Sequence, residues 1–435
     1  MSLNGTVTFE KYKLENGLNV ILHIDRTVPV AAVNLWYHVG SAREVPGKSG
    51  FAHLFEHMMF QGSENAKGSL HFKLIEDAGG TLNGSTTTDR TNYWATVPKN
   101  YLEHILWLES DRMGWLLPAM TQKKLDTQID VVKNERRQNY DNRPYGLAFE
   151  LLSKHLYPED HPYSWTTIGS MEDIGNASLE DVMSFFKQYY GPNNASLCIG
   201  GDIDIDETKA LVEKYFGEIP SGPPVGKLDP RIPDLSGEKY LVHEDTVQLP
   251  RVYTAWHTTH LFGNDDAEMD LAVDALARGK NSRLYRSLVY EKQIAQDVMF
   301  MHISREIGSL AIVVATARPG ISLNEIQKNI DDEIALLVNK GLTDREYERI
   351  RNAHKSSFTY SLQNVGGFFG VTDRLNEYNI FLDDPDYINK DLERYLSPDK
   401  ESIRSVAERY LKPDERVILS IVPKGKHDFA VKEPG

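Results

Sequence analysis

The sequence predicts an α+β fold of two homologous domains, each a mostly antiparallel sheet packed with helices. Three observations carry that prediction. The chain repeats itself: FKQYYGPNNASLCI (186–199) aligns with AERYLKPDERVILS (407–420), Tyr189 over Tyr410 and Pro192 over Pro413. AVNLWYHV (32–39) aligns with VYTAWHTT (252–259), Trp36 over Trp256, at nearly the same offset. A duplicated α/β unit is the economical source of such a repeat. Strand-like and helix-like stretches do not alternate strictly, as a doubly wound parallel sheet would require. Finally, residues 217–239, GEIPSGPPVGKLDPRIPDLSGEK, hold five of the chain's 20 prolines. Proline fixes φ and removes a backbone donor, so this stretch reads as an extended linker. The expected division is 1–222, a linker at 223–238, and 239–435. A 435-residue chain suits two domains of about 200 residues better than one core.

In order along the first half, Asn16-Gly17 between KYKL and LNVILHI predicts a hairpin. Helical spacing then predicts helices over 48–61, 67–77, 100–112, 121–138, 145–155 and 178–189. The second half repeats the order, with helices over 265–276, 281–291, 322–339, 343–362, 366–377 and 399–410. Thr81–Thr88, TLNGSTTT, with β-prone threonines and small residues, reads as an edge strand.

Composition excludes several classes of function. With 48 basic against 63 acidic side chains the net charge is −15, which argues against nucleic-acid binding and against docking on anionic lipid. No run approaches the roughly 18 apolar residues a membrane span needs. The single cysteine, Cys198, lies in the apolar run 195–199 and reads as a buried, inert thiol. The polar N-terminus MSLNGTVT has no secretory signal, and a removed one would leave no trace. A soluble protein of the bacterial cytoplasm or periplasm is the expectation.

One pentapeptide carries chemistry. His53-Leu-Phe-Glu56-His57 lies in GFAHLFEHMMFQG (50–62), an unbroken apolar stretch that reads as a helix. On a helix these three polar residues share a face. Two neutral imidazoles one turn apart can grip Zn²⁺, and a carboxylate beside them can take a proton from water. H-x-x-E-H is the inverted zincin signature. A catalytic zinc site needs a third protein ligand. Glu135, in the helical LDTQIDVVKNERRQ (125–138), is the best candidate, although sequence alone favours reading it as a solvated helix acid beside Arg136 and Arg137. At an offset of 220, His53, Glu56 and His57 fall on Val273, Leu276 and Ala277. One copy of the repeat keeps the polar triad and the other reverts to packing residues, which suggests that the first serves a ligand.

HLFEH, followed 78 residues later (135 − 57) by the Glu of NERRQ, resembles the pitrilysin/insulinase family of zinc metallopeptidases, which includes the mitochondrial processing peptidase. NGLNVIL (16–22), GSAREVPGKSGFAH (40–53), AGGTLNGSTTTDRTNY (78–93) and NYDNRPYG (139–146) extend the similarity. The resemblance implies one Zn²⁺ per chain held by His53, His57 and Glu135, with Glu56 as general base. It implies peptide substrates added as a strand along 81–88, with main-chain bonds at Asn83, Gly84 and Ser85. It also implies paired chains forming a clamshell. Two departures from the family are visible. An acid often stands seven residues before the ligand Glu, and here that residue is Gln128, a neutral outer partner. The family's substrate-gripping Arg and Tyr from the second half align with Val289 and Gln296, within SRLYRSLVYEKQIAQDV (282–298), where Arg283, Arg286, Tyr285 or Tyr290 are the possible substitutes. The expectation is therefore a zinc-bearing chain that needs a homologous second subunit, as a heterodimer or a homodimer. The alternative is a non-catalytic scaffold or substrate-holding subunit.

Overall fold

Asn16-Gly17 turns the chain back on itself. Gly17 sits at φ +96°, a conformation glycine adopts without steric cost. It joins β1 (Glu10–Lys13) to β2 (Asn19–Ile24) as an antiparallel pair. The computed structural model describes residues 6–433. β1 and β2 enter a six-stranded sheet with β3 (Val30–Tyr37), β4 (Thr81–Thr86), β5 (Thr91–Pro98) and β6 (Ala195–Gly201), in the order β1-β2-β6-β3-β5-β4. Only β2 and β6 run parallel. β3 and β6 are central, and their near-continuous apolar sequences follow from burial on both faces.

The second sheet holds β7 (Lys239–Asp245), β8 (Arg251–Thr258), β9 (Ala295–Ile303), β10 (Ser309–Ala317) and β11 (Val417–Pro423), ordered β7-β11-β8-β10-β9. This repeats the order β2-β6-β3-β5-β4, with the same single parallel pair. The duplication read from the sequence is thus a duplication of topology. Trp256, Leu276, Val313, Ile330, Ile403 and Ile418 lie in this sheet's apolar core.

Two compact units result, each assembled from three segments. One comprises Met1–Arg136 (described from residue 6), Trp165–Lys227 and Ser357–Asp391; the other comprises Arg137–Ser164, Leu228–Ser356 and Leu392–Gly435 (described to residue 433). One crossing, Lys227 to Leu228, falls inside the Pro-rich segment. The others carry Arg137–Ser164 and Ser357–Asp391 into the unit built on the other sheet, which no linker composition signals. In the first unit the helix Val371–Leu382 packs on β6 and β3. In the second, the helix Ala148–Leu156 packs on β11 and β8.

Several helix expectations need correction. Residues 366–377 are helical only from Val371, because the glycine-rich 364–370 forms a loop with Gly367 at φ +78° and Phe369 at φ +62°. Within 281–291, residues Tyr285–Glu291 wind as a wider π-helix, Lys292 N–H reaching back to Ser287 C=O. The helix expected over 48–61 spans only Phe51–Met58. The structure adds helices at Met171–Gly175, Ile205–Phe216 and Asp391–Leu396, where the sequence reading expects none. For Ile205–Phe216 a start signal was present, since Asp204 accepts a bond from Glu207 N–H.

Candidate metal centre and active site

The helix Phe51–Met58 buries Phe51, Ala52, Leu54, Phe55 and Met58, which turns His53, Glu56 and His57 to its open face. Its N-terminus has no side-chain cap of its own. Gly50 stands there at φ +88°, and an added Cβ would lie 2.8 Å from Ile168 O. Glu44 supplies the cap from the preceding loop, accepting from Gly50 N–H (2.9 Å) and Ala52 N–H (2.8 Å).

Glu135 comes from the helix Gln122–Arg136, which buries Leu125, Gln128, Ile129, Val132 and Arg136. Arg136 donates to Gly169 O at 2.6 Å. Gly169 lies so close to Gly50 that an added Cβ would come within 2.5 Å of Gly50 Cα. The two helices are therefore registered through one glycine contact, and Glu135 meets the imidazoles.

His53 Nε2 and His57 Nε2 are 3.3 Å apart, His57 Nε2 and Glu135 Oε2 3.4 Å, and His53 Nε2 and Glu135 Oε2 3.6 Å. A tetrahedral zinc with bonds near 2.05 Å has ligand–ligand edges of about 3.3 Å. The near-equilateral triangle fits that ion without rearrangement. Among the described residues it is the one cluster of three such groups able to hold a metal. Burial, and then the neighbouring His57, push His53 down to about 4, so it is neutral, the form that ligates. The three side chains are 14%, 25% and 33% exposed, which leaves an open approach.

Glu56 sits beside the triangle and outside it. Its Oε2 accepts from Thr86 Oγ1 at 2.6 Å. Burial pushes its carboxyl above the ordinary range, the direction that suits a general base near neutral pH. Gln128 lies two turns before Glu135, buried, with no hydrogen bond to the triad among the described residues. His53 Nδ1 is likewise buried without a partner among those residues. No protein acceptor therefore fixes its tautomer, as one does in most zinc sites.

β4 is the open edge of its sheet, paired only with β5. Gly84 N–H is held by Asn83 Oδ1 at 2.8 Å, a local bond that an incoming strand can displace. The Ser85 hydroxyl is turned inward, donating to Asn92 Oδ1 at 2.7 Å. An added Cβ at Gly84 would stand 3.1 Å from both Phe60 Cε2 and Tyr93 Cδ1. Gly84→Val is expected to distort this edge at a cost of about 1–3 kcal/mol. Urea unfolding of the variant beside the wild type measures that loss.

The other unit carries the second departure. Val289 packs against its apolar core and Gln296 is exposed on β9. Arg283 is committed elsewhere, donating to Glu346 Oε1 (2.7 Å) and Oε2 (2.9 Å) and to Gly341 O (2.7 Å). Arg286 pairs with Glu291 at 2.9 Å, Tyr285 packs on the core, and Tyr290 is 74% exposed. Burial raises the Glu346 carboxyl, but Arg283 and Thr343 N–H outweigh it and hold the group down to about 2, from 4.5. A depressed folded-state value stabilises above the unfolded one and ceases to do so as pH falls through the folded one. This pairing therefore contributes in full above pH 4.5 and its contribution is lost as pH falls toward 2. Glu346→Gln should flatten that part of the acid limb in urea unfolding measured against pH.

Sequence reasoning missed Glu44, Thr86 and Arg90. Glu44 acts across a loop, where no periodicity operates. Thr86 looks like an ordinary strand residue until the hairpin closes over Glu56, and Arg90 like an ordinary turn residue until it reaches Ser85 and Asn92.

Within one of two units of like topology, a helix bearing the H-x-x-E-H sequence meets a second, acid-bearing helix. Comparison with known proteins gives the family. Residues 19–166 match the family model "Insulinase (Peptidase family M16)", and residues 176–353 match "Peptidase M16 inactive domain". The second match covers Val273, Leu276 and Ala277, the positions where the repeat lacks the triad. The chain is 29% identical to the zinc protease PqqE of Helicobacter pylori, covering 83% of this chain and 82% of that protein. It is 25% identical to the uncharacterized zinc protease YmxG of Bacillus subtilis over 82% and 85%. The crystal structure of a protease from Helicobacter pylori superposes with a TM-score of 0.89 at 27% identity, covering 96% of this chain and all of that one. The chain belongs to the insulinase (M16) family of peptidases. No helix among the described residues is long and apolar enough to cross a membrane.

Proposed function

We propose that this chain is a zinc-dependent endopeptidase. The observation that carries this reading is the near-equilateral triangle of two imidazole nitrogens and one carboxylate oxygen, with Glu56 beside it and outside it. His53, His57 and Glu135 would hold the ion. Zinc with three protein ligands and an open position polarises a carbonyl and acidifies water. Glu56 takes the water's proton and returns it to the leaving amine. Thr86 Oγ1 keeps one carboxylate oxygen occupied and so aims the other. The peptide adds to β4 as a further strand, displacing Asn83 Oδ1 from Gly84 N–H, with main-chain bonds along Asn83–Ser85. The net charge of −15 favours basic peptides.

The chain works with a homologous second subunit. Val289 and Gln296 stand where the family resemblance implies an Arg and a Tyr, and Arg283 is taken by Glu346. A partner supplying those donors would complete the site. The purified chain alone should cleave peptides slowly, and adding a sister chain that carries the Arg and Tyr should restore turnover. Fast hydrolysis by the chain alone would refute the heterodimer. A scaffold role would leave the intact triad without use, and metal analysis together with peptide turnover separates the two readings.

A further inference from the structure

The β4–β5 hairpin carries a buried polar network on the face opposite Glu56. Side chains alternate across a strand, so Ser85 and Asn92 point away from the face that Thr86 presents to Glu56. Beneath them lies the helix Val371–Leu382. Its Asp373, buried at 6% exposure, accepts four bonds. Three reach Oδ1, from Asn34 Nδ2 (3.0 Å), Trp36 Nε1 (2.9 Å) and Asn92 Nδ2 (3.1 Å), and Phe369 N–H reaches Oδ2 (2.8 Å). Asn376 Nδ2 donates to Asn34 O at 2.8 Å, and Asn379 Nδ2 to Ser196 Oγ at 2.8 Å. A helix that meets a sheet with Asp, Asn and Asn, three residues apart, gains little stability from that contact, because burying polar groups costs what their bonds return. Such a layer serves to specify one register.

Arg90 enters this layer from the turn between β4 and β5. Its Nη1 donates to Ser85 O (2.9 Å), to Ser85 Oγ and to Asn92 Oδ1 (3.1 Å). The guanidinium lies 4.9 Å from the centre of the Trp36 ring. Asp373 and then Glu377 supply the strongest opposing charge, ahead of Glu56. Asn92 bridges the two ions, giving Oδ1 to Arg90 and Nδ2 to Asp373. One cation therefore ties a main-chain carbonyl of the edge strand to a carboxylate contributed by residues 357–391.

We propose that Arg90 is a positioning residue for the docked peptide: by clamping Ser85 against the Asp373 layer it holds the end of β4, and thereby its free edge at Gly84, in one register. The use of that edge rests on the peptidase reading; the clamping of the hairpin does not. Lysine would keep the charge and lose the planar guanidinium that lies over the Trp36 ring while its Nη1 reaches Ser85 and Asn92.

The test uses the full chain with Arg90→Met and Arg90→Lys. Both variants should exchange amide hydrogens about tenfold faster over 81–92 than the wild type, while the helix 51–58 exchanges at the wild-type rate. With a fluorogenic bradykinin as the probe, KM should rise about tenfold while kcat changes far less, at full zinc content. Unchanged exchange over 81–92 overturns the proposal. So does equal acceleration over 51–58, which would mark a general structural role, and so does a loss confined to kcat. A wild-type chain that cleaves no peptide contradicts the peptidase reading only, and the exchange comparison still decides the role of Arg90.

Discussion

Glu56→Gln should leave zinc bound at one ion per chain and lower kcat by about 10²–10⁴, the range a positioned general base contributes. The substitution preserves shape, and the amide oxygen can still accept from Thr86 Oγ1, which lies 2.6 Å from the carboxylate. Glu56 stands outside the His53–His57–Glu135 triangle, so the metal has no reason to leave. Only the ability to accept and return a proton is removed. Metal analysis alongside steady-state kinetics checks both halves. Wild-type turnover would remove Glu56 from the mechanism, and loss of zinc would make it a ligand.

Glu135→Ala should do the opposite, taking metal and activity together. Even the outer partners of a zinc site cost about 10–100-fold in affinity when removed, so a ligand should cost more than 100-fold. Two imidazoles one turn apart would remain, without the anionic group that closes the triangle at 3.4 and 3.6 Å. Excess zinc should restore part of the turnover. His57→Ala should behave in the same way. Gln128→Ala, by contrast, should change zinc affinity by less than about tenfold, because Gln128 makes no bond to the triad. Competition with a fluorescent chelator measures all three.

Much of this arrangement is legible in the sequence, for identifiable reasons. His53, Glu56 and His57 lie within one turn, so helical geometry alone places them on one face. Asn16-Gly17 announces its hairpin because the turn needs a residue at positive φ. Glu135 is a different case. Helical periodicity presents it on a face but says nothing about what that face meets, and resemblance supplied the partner. The contact depends on Gly169 packing against Gly50 and on Arg136 reaching Gly169 O, close approaches between residues far apart in sequence. The return of residues 357–391 to the first sheet is equally silent, since Asp373, Asn376 and Asn379 look like an exposed polar stripe and are in fact buried. The glycines of 364–370 form the loop that delays this helix to Val371, five residues after the expected start.

X-ray absorption at the zinc edge of the purified, zinc-loaded chain tests the central claim most directly. The geometry predicts one ion with two imidazole nitrogens and one carboxylate oxygen at about 2.0–2.2 Å, plus one exchangeable light-atom ligand. That spectrum should disappear in Glu135→Ala. A sulfur neighbour, or an unchanged spectrum in that variant, would contradict it.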